Sequence, residues 1–130
     1  MKLLLDSNVV IALIKLEPRV VRQLNQYSPG DLAMSSMAMF ELAYGALKSN
    51  RVARNLKVLG DVGIPVLEFD AADARTAGEI RWKLEKEGMP IGAYDTLIAG
   101  QALARGLTLV TRNTREFGRV EGLRLENWEA

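Results

Sequence analysis

Short apolar runs alternate along this chain with longer stretches of helical period, the pattern of crossover units that predicts an α/β fold on a largely parallel sheet. Residues 2–5 read as a first strand, buried on both faces because nothing in it alternates. Asp6 or Ser7 can cap a helix over 9–15, Pro18 opens another to about residue 26, and Ser28-Pro29-Gly30-Asp31 is a turn. Residues 32–34 predict a second strand, and Ser35 or Ser36 caps a long helix to Leu47. A helix over 51–59 carries Arg51, Arg54 and Lys57 on one face. Residues 64–69 predict a third strand, with Pro65 pointing to an edge. Asp70 or Asp73 caps a helix to Glu87, and 88–92 is a loop rich in breakers. A helix over 94–104 stops at Gly106, residues 107–111 form a fourth strand, and 122–126 are a candidate fifth.

Three carboxylates interrupt this pattern. Asp6 follows the apolar run Leu3 to Leu5, Glu41 is the only charge between Met34 and Leu47, and Asp95 precedes Leu97 to Ala99. A carboxylate withdrawn from water is costly unless something positive meets it. No Lys or Arg lies within two residues of any of the three, so a bound cation is the natural partner if the fold gathers them. Each also has a plainer reading. Asp6 can serve as a helix cap, Asp95 as a first-turn residue favoured by the helix dipole, and Glu41 as one half of an isolated salt bridge. Open α/β sheets bind ligands beyond the carboxyl ends of their strands, where Asp6 and Thr111 to Asn113 can share a rim. Arg112, Arg115 and Arg119, near the exit of the fourth strand, can meet phosphates or simply face solvent. The Met34, Met37 and Met39 cluster reads as core filling.

Composition narrows the chemistry. The 130 residues are 48% hydrophobic, the size of one ordinary domain, and no repeat or linker divides residues 1–130. Seventeen basic and 16 acidic side chains leave a net charge of +1, against a strongly basic nucleic-acid footprint. With no Cys and no His, disulfides, thiolate nucleophiles, His-based triads and ordinary zinc sites are excluded. Oxygen ligation remains, and it suits Mg²⁺ or Mn²⁺. Asp6, Ser7 and Asn8 break the apolar N-terminus before it can act as a signal peptide, and no apolar stretch reaches the ~18 residues of a membrane span. A soluble, cytoplasmic protein is expected.

Four motifs carry a resemblance. Asp6-Ser7-Asn8 follows an apolar strand, Glu41 sits in Ser36-Met37-Ala38-Met39-Phe40-Glu41-Leu42, and Asp95 ends Pro90-Ile91-Gly92-Ala93-Tyr94-Asp95. Leu109-Val110-Thr111-Arg112-Asn113-Thr114-Arg115-Glu116-Phe117 completes the set. In this order they resemble a PIN-domain ribonuclease, specifically a VapC-type toxin of a bacterial toxin–antitoxin pair. The resemblance implies a three-layer α/β/α fold with a central, mostly parallel sheet of four to five strands and an acidic pocket for Mg²⁺ or Mn²⁺. It implies Asp6, Glu41 and Asp95 as metal-binding carboxylates, with Ser7, Asn8, Thr111 and Asn113 in support. Many relatives have Asp at the position of Asn113, and Glu116 is then the candidate fourth acid. Ser7 stands where Thr is usual, and the hydroxyl survives. The implied reaction is metal-dependent endonucleolytic cutting of structured RNA, often a transfer RNA, leaving a 5′-phosphate. Implied partners are a VapB-type antitoxin that inserts a basic side chain into the pocket and a second copy in a homodimer, with Val52, Leu56 and Leu59 as candidate contacts. Two readings compete: a PIN scaffold that binds protein or RNA without turnover, and a phospho-acceptor receiver domain, which Ser7-Asn8 and Arg112 fit poorly.

Overall fold

The computed structural model describes residues 1–130. Its elements run β1 (Leu3–Leu5), α1 (Ser7–Ile14), α2 (Pro18–Leu24), a 3-10 turn (Pro29–Asp31), β2 (Leu32–Ser35), α3 (Ser36–Leu47) and α4 (Val52–Asp61). They continue as β3 (Val66–Leu67), α5 (Ala71–Lys86), α6 (Ala93–Ala104), β4 (Thr108–Val110), α7 (Thr114–Phe117) and β5 (Leu125–Glu126). The strands form one sheet in the order β3-β2-β1-β4-β5, every pair parallel.

β1 lies at the centre, and its apolar run has a simple cause. Leu3 and Leu5 point into one apolar layer with Leu32, Met34, Val110, Val9, Val10 and Val20. Leu4 points into the opposite layer with Ala33, Leu109, Ile80, Ile98 and Phe117. A strand covered on both faces has no solvated side to mark with polar residues. The expected three-layer α/β/α arrangement, with helices on both faces of a parallel sheet, is the one observed.

Some boundaries differ from the sequence expectation, each for a local reason. The third strand is two residues long rather than spanning 64–69, because Pro65 has no N–H and contributes only its carbonyl, which accepts from Met34 N at 2.9 Å. β3 is an edge strand, as Pro65 predicts. α4 starts after Arg51, which offers no side-chain cap, and extends past Leu59 to Asp61. Leu59 belongs to the core, so it is not a surface contact residue, whereas Leu56 is exposed. α7 was not anticipated, being too short to show a period.

α5 begins with a reciprocal cap in which Asp70 Oδ1 accepts from Asp73 N at 2.9 Å and Asp73 Oδ2 accepts from Asp70 N at 3.0 Å. Asp73 is buried and also holds α6. Arg105 donates to both of its carboxylate oxygens at 3.2 and 3.0 Å, and Gln101 Nε2 donates at 3.2 Å. Burial pushes the Asp73 carboxyl up, but the Arg105 guanidinium, the Asp70 cap and the Gln101 amide together hold it below its ordinary value. The helices also meet at Gly100, where a Cβ would lie 2.5 Å from Ala77 Cβ and 2.7 Å from its Cα and N. This contact fixes the helix that carries Asp95.

Candidate active site

The sheet order reverses next to its central strand: from β1 the chain builds outward through β2 to β3 on one side, and later through β4 to β5 on the other. A crevice opens between neighbouring strands at such a switch point. β1 and β4 pair with Leu5 opposite Val110, so the next residues, Asp6 and Thr111, emerge side by side. Each is anchored by a further ladder bond, Asp6 N to Val110 O at 2.9 Å and Thr111 N to Glu126 O at 3.0 Å.

Asp6 is buried and fully oriented. Its Oδ1 accepts from Ser7 N at 2.8 Å, which caps α1, while Oδ2 accepts from Thr111 Oγ1 at 2.8 Å and Asn8 Nδ2 at 3.2 Å. The cap and the site are therefore the same carboxylate. Thr111 Oγ1 in turn accepts from Asn113 N at 3.1 Å, turning the chain after β4 toward α7. The Asn113 amide donates to Asp95 Oδ2 and Glu116 Oε2, both at 3.4 Å, and ties those two acids together. Asn8 Oδ1 is buried with no partner.

Asp95, in the first turn of α6, is half-buried, and its carboxyl is pushed up to about 6 by burial first and then by the charges of Asp6, Glu116 and Glu41. Glu41 reaches the same region from α3. Burial and then Asp6 raise its pKa, while the Ser7 side chain offsets part of the shift. None of the ion pairs in the protein uses Asp6, Glu41, Asp95 or Glu116. Four acids thus share one field with no internal cation, and the isolated salt bridge considered for Glu41 is not formed.

The fold gathers these acids closely enough for their charges to act on one another, but not into a ligand geometry. No three acidic side chains stand ready to hold one ion as they are placed. Arg112 and Arg115 are exposed where the chain leaves β4 and begins α7. Two residues that were not candidate site residues directly precede Glu41 and Asp95. Phe40 and Tyr94 bring their rings to 5.4 Å apart, and their signal was adjacency to Glu41 and Asp95.

The Asp95 shift has a testable consequence for stability. Its folded pKa lies above the ordinary 3.8, so between about pH 4 and 6 the folded state keeps a proton that the unfolded state has lost. Stability from this group therefore falls as pH rises through that window. Solvent screening at a half-buried site limits the effect to about 1–2 kcal/mol. Urea denaturation of the wild type and Asp95→Asn, both in chelator, isolates it: the variant's advantage should grow from pH 4 to pH 7. A difference flat in pH would show that Asp95 sits in no shared field.

Residues 3–123 match the PIN domain family. The chain is 48% identical, over 98% of both chains, to the tRNA(fMet)-specific endonuclease VapC of Shigella flexneri. Its fold is similar to that in the crystal structure of DNA-bound VapBC from Salmonella typhimurium, with a TM-score of 0.91, 42% identity and 98% of each chain covered. VapBC2 from Rickettsia felis, bound to a promoter DNA fragment, gives the same TM-score at 34% identity over 99% of this chain and 100% of that one.

Proposed function

The chain belongs to the PIN domain family, among its VapC ribonucleases, and on that footing we propose that it is a divalent-metal-dependent endoribonuclease whose substrate is a structured RNA, a transfer RNA foremost. The observation that carries this reading is the cluster of Asp6, Glu41, Asp95 and Glu116 at the switch point, with burial and mutual repulsion raising Asp95 to about 6 and no Lys or Arg paired to any of them.

The donor set fits Mg²⁺ or Mn²⁺ by its chemistry: carboxylate, hydroxyl and amide oxygens, with no imidazole or thiolate in the chain. Asp6, Glu41 and Asp95 would hold the ion, with Glu116 as the fourth acid in place of an Asp at Asn113. A bound divalent ion supplies Lewis acidity at the scissile phosphate and makes a water nucleophilic at neutral pH. The chain's own residues hold the arrangement. Thr111 Oγ1 and Asn8 Nδ2 fix Asp6 Oδ2, the Ser7 N–H fixes Oδ1, and Asn113 couples Asp95 to Glu116. Exposed Arg112 and Arg115 meet phosphates flanking the cut.

The same charges explain a partner. The pocket takes a guanidinium from a VapB-type antitoxin as readily as a metal ion, because either removes the repulsion. The two similar structures, from Salmonella typhimurium and Rickettsia felis, are of VapBC complexes. We place the whole activity in one domain, residues 1–130, acting as a homodimer in the cytoplasm. No helix is long and apolar enough to cross a membrane.

Incubating initiator transfer RNA with the purified chain and Mn²⁺ should yield discrete cuts that cease on adding chelator and are absent with Asp6→Ala. Equal cutting by wild type and variant would mean a contaminant or a wrong site. Wild type that binds an antitoxin yet cuts nothing would make the chain a docking module instead.

A further inference from the structure

Phe40 and Tyr94 immediately precede Glu41 and Asp95. Their rings approach from α3 and the first turn of α6, with centroids 5.4 Å apart and planes tilted by 48°. Both remain open to solvent, at 52% and 51% exposure. A pair of large aromatic side chains is ordinarily hidden by folding. Here the two helices that deliver two of the acids display it, each ring borne by the residue before an acid. One turn along α3, Tyr44 is also exposed, with the Lys48 ammonium 4.8 Å from its ring centroid.

The acids create a difficulty that these rings answer. Phosphate attraction dominates most nucleic-acid binding, but clustered carboxylates repel phosphates, and the chain's net charge is only +1. Beside the acids, contacts that do not depend on charge can add to the phosphate contacts of Arg112 and Arg115 in holding RNA. Every base has a π-face, and aromatic side chains take unpaired bases on that face without reading sequence. The tilt keeps Phe40 and Tyr94 from covering each other's faces.

We propose that Phe40 and Tyr94 form a stacking platform for an unpaired base beside the scissile phosphate, so that the site takes a single-stranded loop of RNA rather than a duplex, whose base faces are already covered. The proposal rests on the ribonuclease reading above and assigns the pair a positioning role. Because both rings are exposed, replacing them with leucine should leave the fold intact.

The test uses the full chain with Phe40→Leu, Tyr94→Leu, the double variant and Tyr94→Phe. A single-stranded oligoribonucleotide containing 2-aminopurine is titrated in chelator, initiator transfer RNA is cleaved in Mn²⁺, and light scattering gives each variant's mass. Each Leu variant should bind the probe about tenfold more weakly, raise KM for cleavage by a similar factor and leave kcat nearly unchanged, while Tyr94→Phe behaves as wild type. A double variant with wild-type probe affinity and KM would overturn the platform while leaving the nuclease standing. A fall in mass accompanying the loss of activity would also overturn it, showing that the rings pack between two copies of the chain. Ring-dependent probe binding by a wild type that cuts no RNA would sustain the platform and sink the nuclease.

Discussion

Asp95→Asn is expected to abolish RNA cleavage and, in the same preparation, to stabilise the metal-free protein at neutral pH. Asn is nearly isosteric, so the first turn of α6 and its packing persist while one of four mutually repelling charges disappears. Asp95 is the acid most affected by the others, its carboxyl raised to about 6 by burial, Asp6, Glu116 and Glu41. Removing that charge at pH 7 should be worth about 1–2 kcal/mol after screening, a rise of a few degrees in Tm for a chain of this length. In the proposed function several kcal/mol of transition-state charge stabilisation would depend on a cation that Asp95 helps to hold, so kcat should fall at least about a thousandfold. Thermal melts in chelator and cleavage assays in Mn²⁺ read the two effects. Adding Mn²⁺ should raise the wild-type Tm more than the variant's, since a ligand stabilises the state that binds it. A variant that is less stable and fully active would show that Asp95 is a helix-start residue and nothing more.

Gly100→Ala should be among the most damaging single-methyl changes in the protein, costing about 3 kcal/mol in urea denaturation. The new Cβ would meet Ala77 Cβ at 2.5 Å and the Ala77 backbone N and Cα at 2.7 Å, and no rotamer change moves backbone atoms away. α5 and α6 must separate, which strains the Arg105 and Gln101 bonds to buried Asp73 and shifts the helix bearing Asp95. Ala77→Gly should rescue only part of the loss, because it removes the nearest atom but not the backbone behind it. Gly45→Ala in α3 is the control of opposite sign. A Cβ there meets nothing within 4 Å, so helix propensity alone should add up to about 1 kcal/mol. Equal stability of Gly100→Ala and wild type would show that the helices are not closely seated at this point.

The site was legible in proportion to how local its signals were. Leu3 to Leu5 announced a strand covered on both faces, and Asp6, Glu41 and Asp95 stood out as charges inside apolar stretches without a neighbouring cation. Glu116 was a candidate from its motif, whereas the short helix that carries it has no period to detect. Asn113 was noticed as a departure, and its tie between Asp95 and Glu116 emerged only from the fold.

By itself the sequence determined the alternation of strands and helices, the exclusion of thiol and imidazole chemistry, and which carboxylates stood in apolar stretches without a neighbouring cation. Those properties are written within a few neighbouring residues, where periodicity, capping and the cost of burying a charge all act. Tertiary structure alone decided that β1 lies centrally, that the sheet reverses order beside it, and that Asp6 meets a Thr111 hydroxyl 105 residues away. It also decided that Phe40 faces Tyr94 and that a glycine sits against Ala77. Such contacts depend on strand register and helix packing summed over the whole core, and no short stretch of chain contains them.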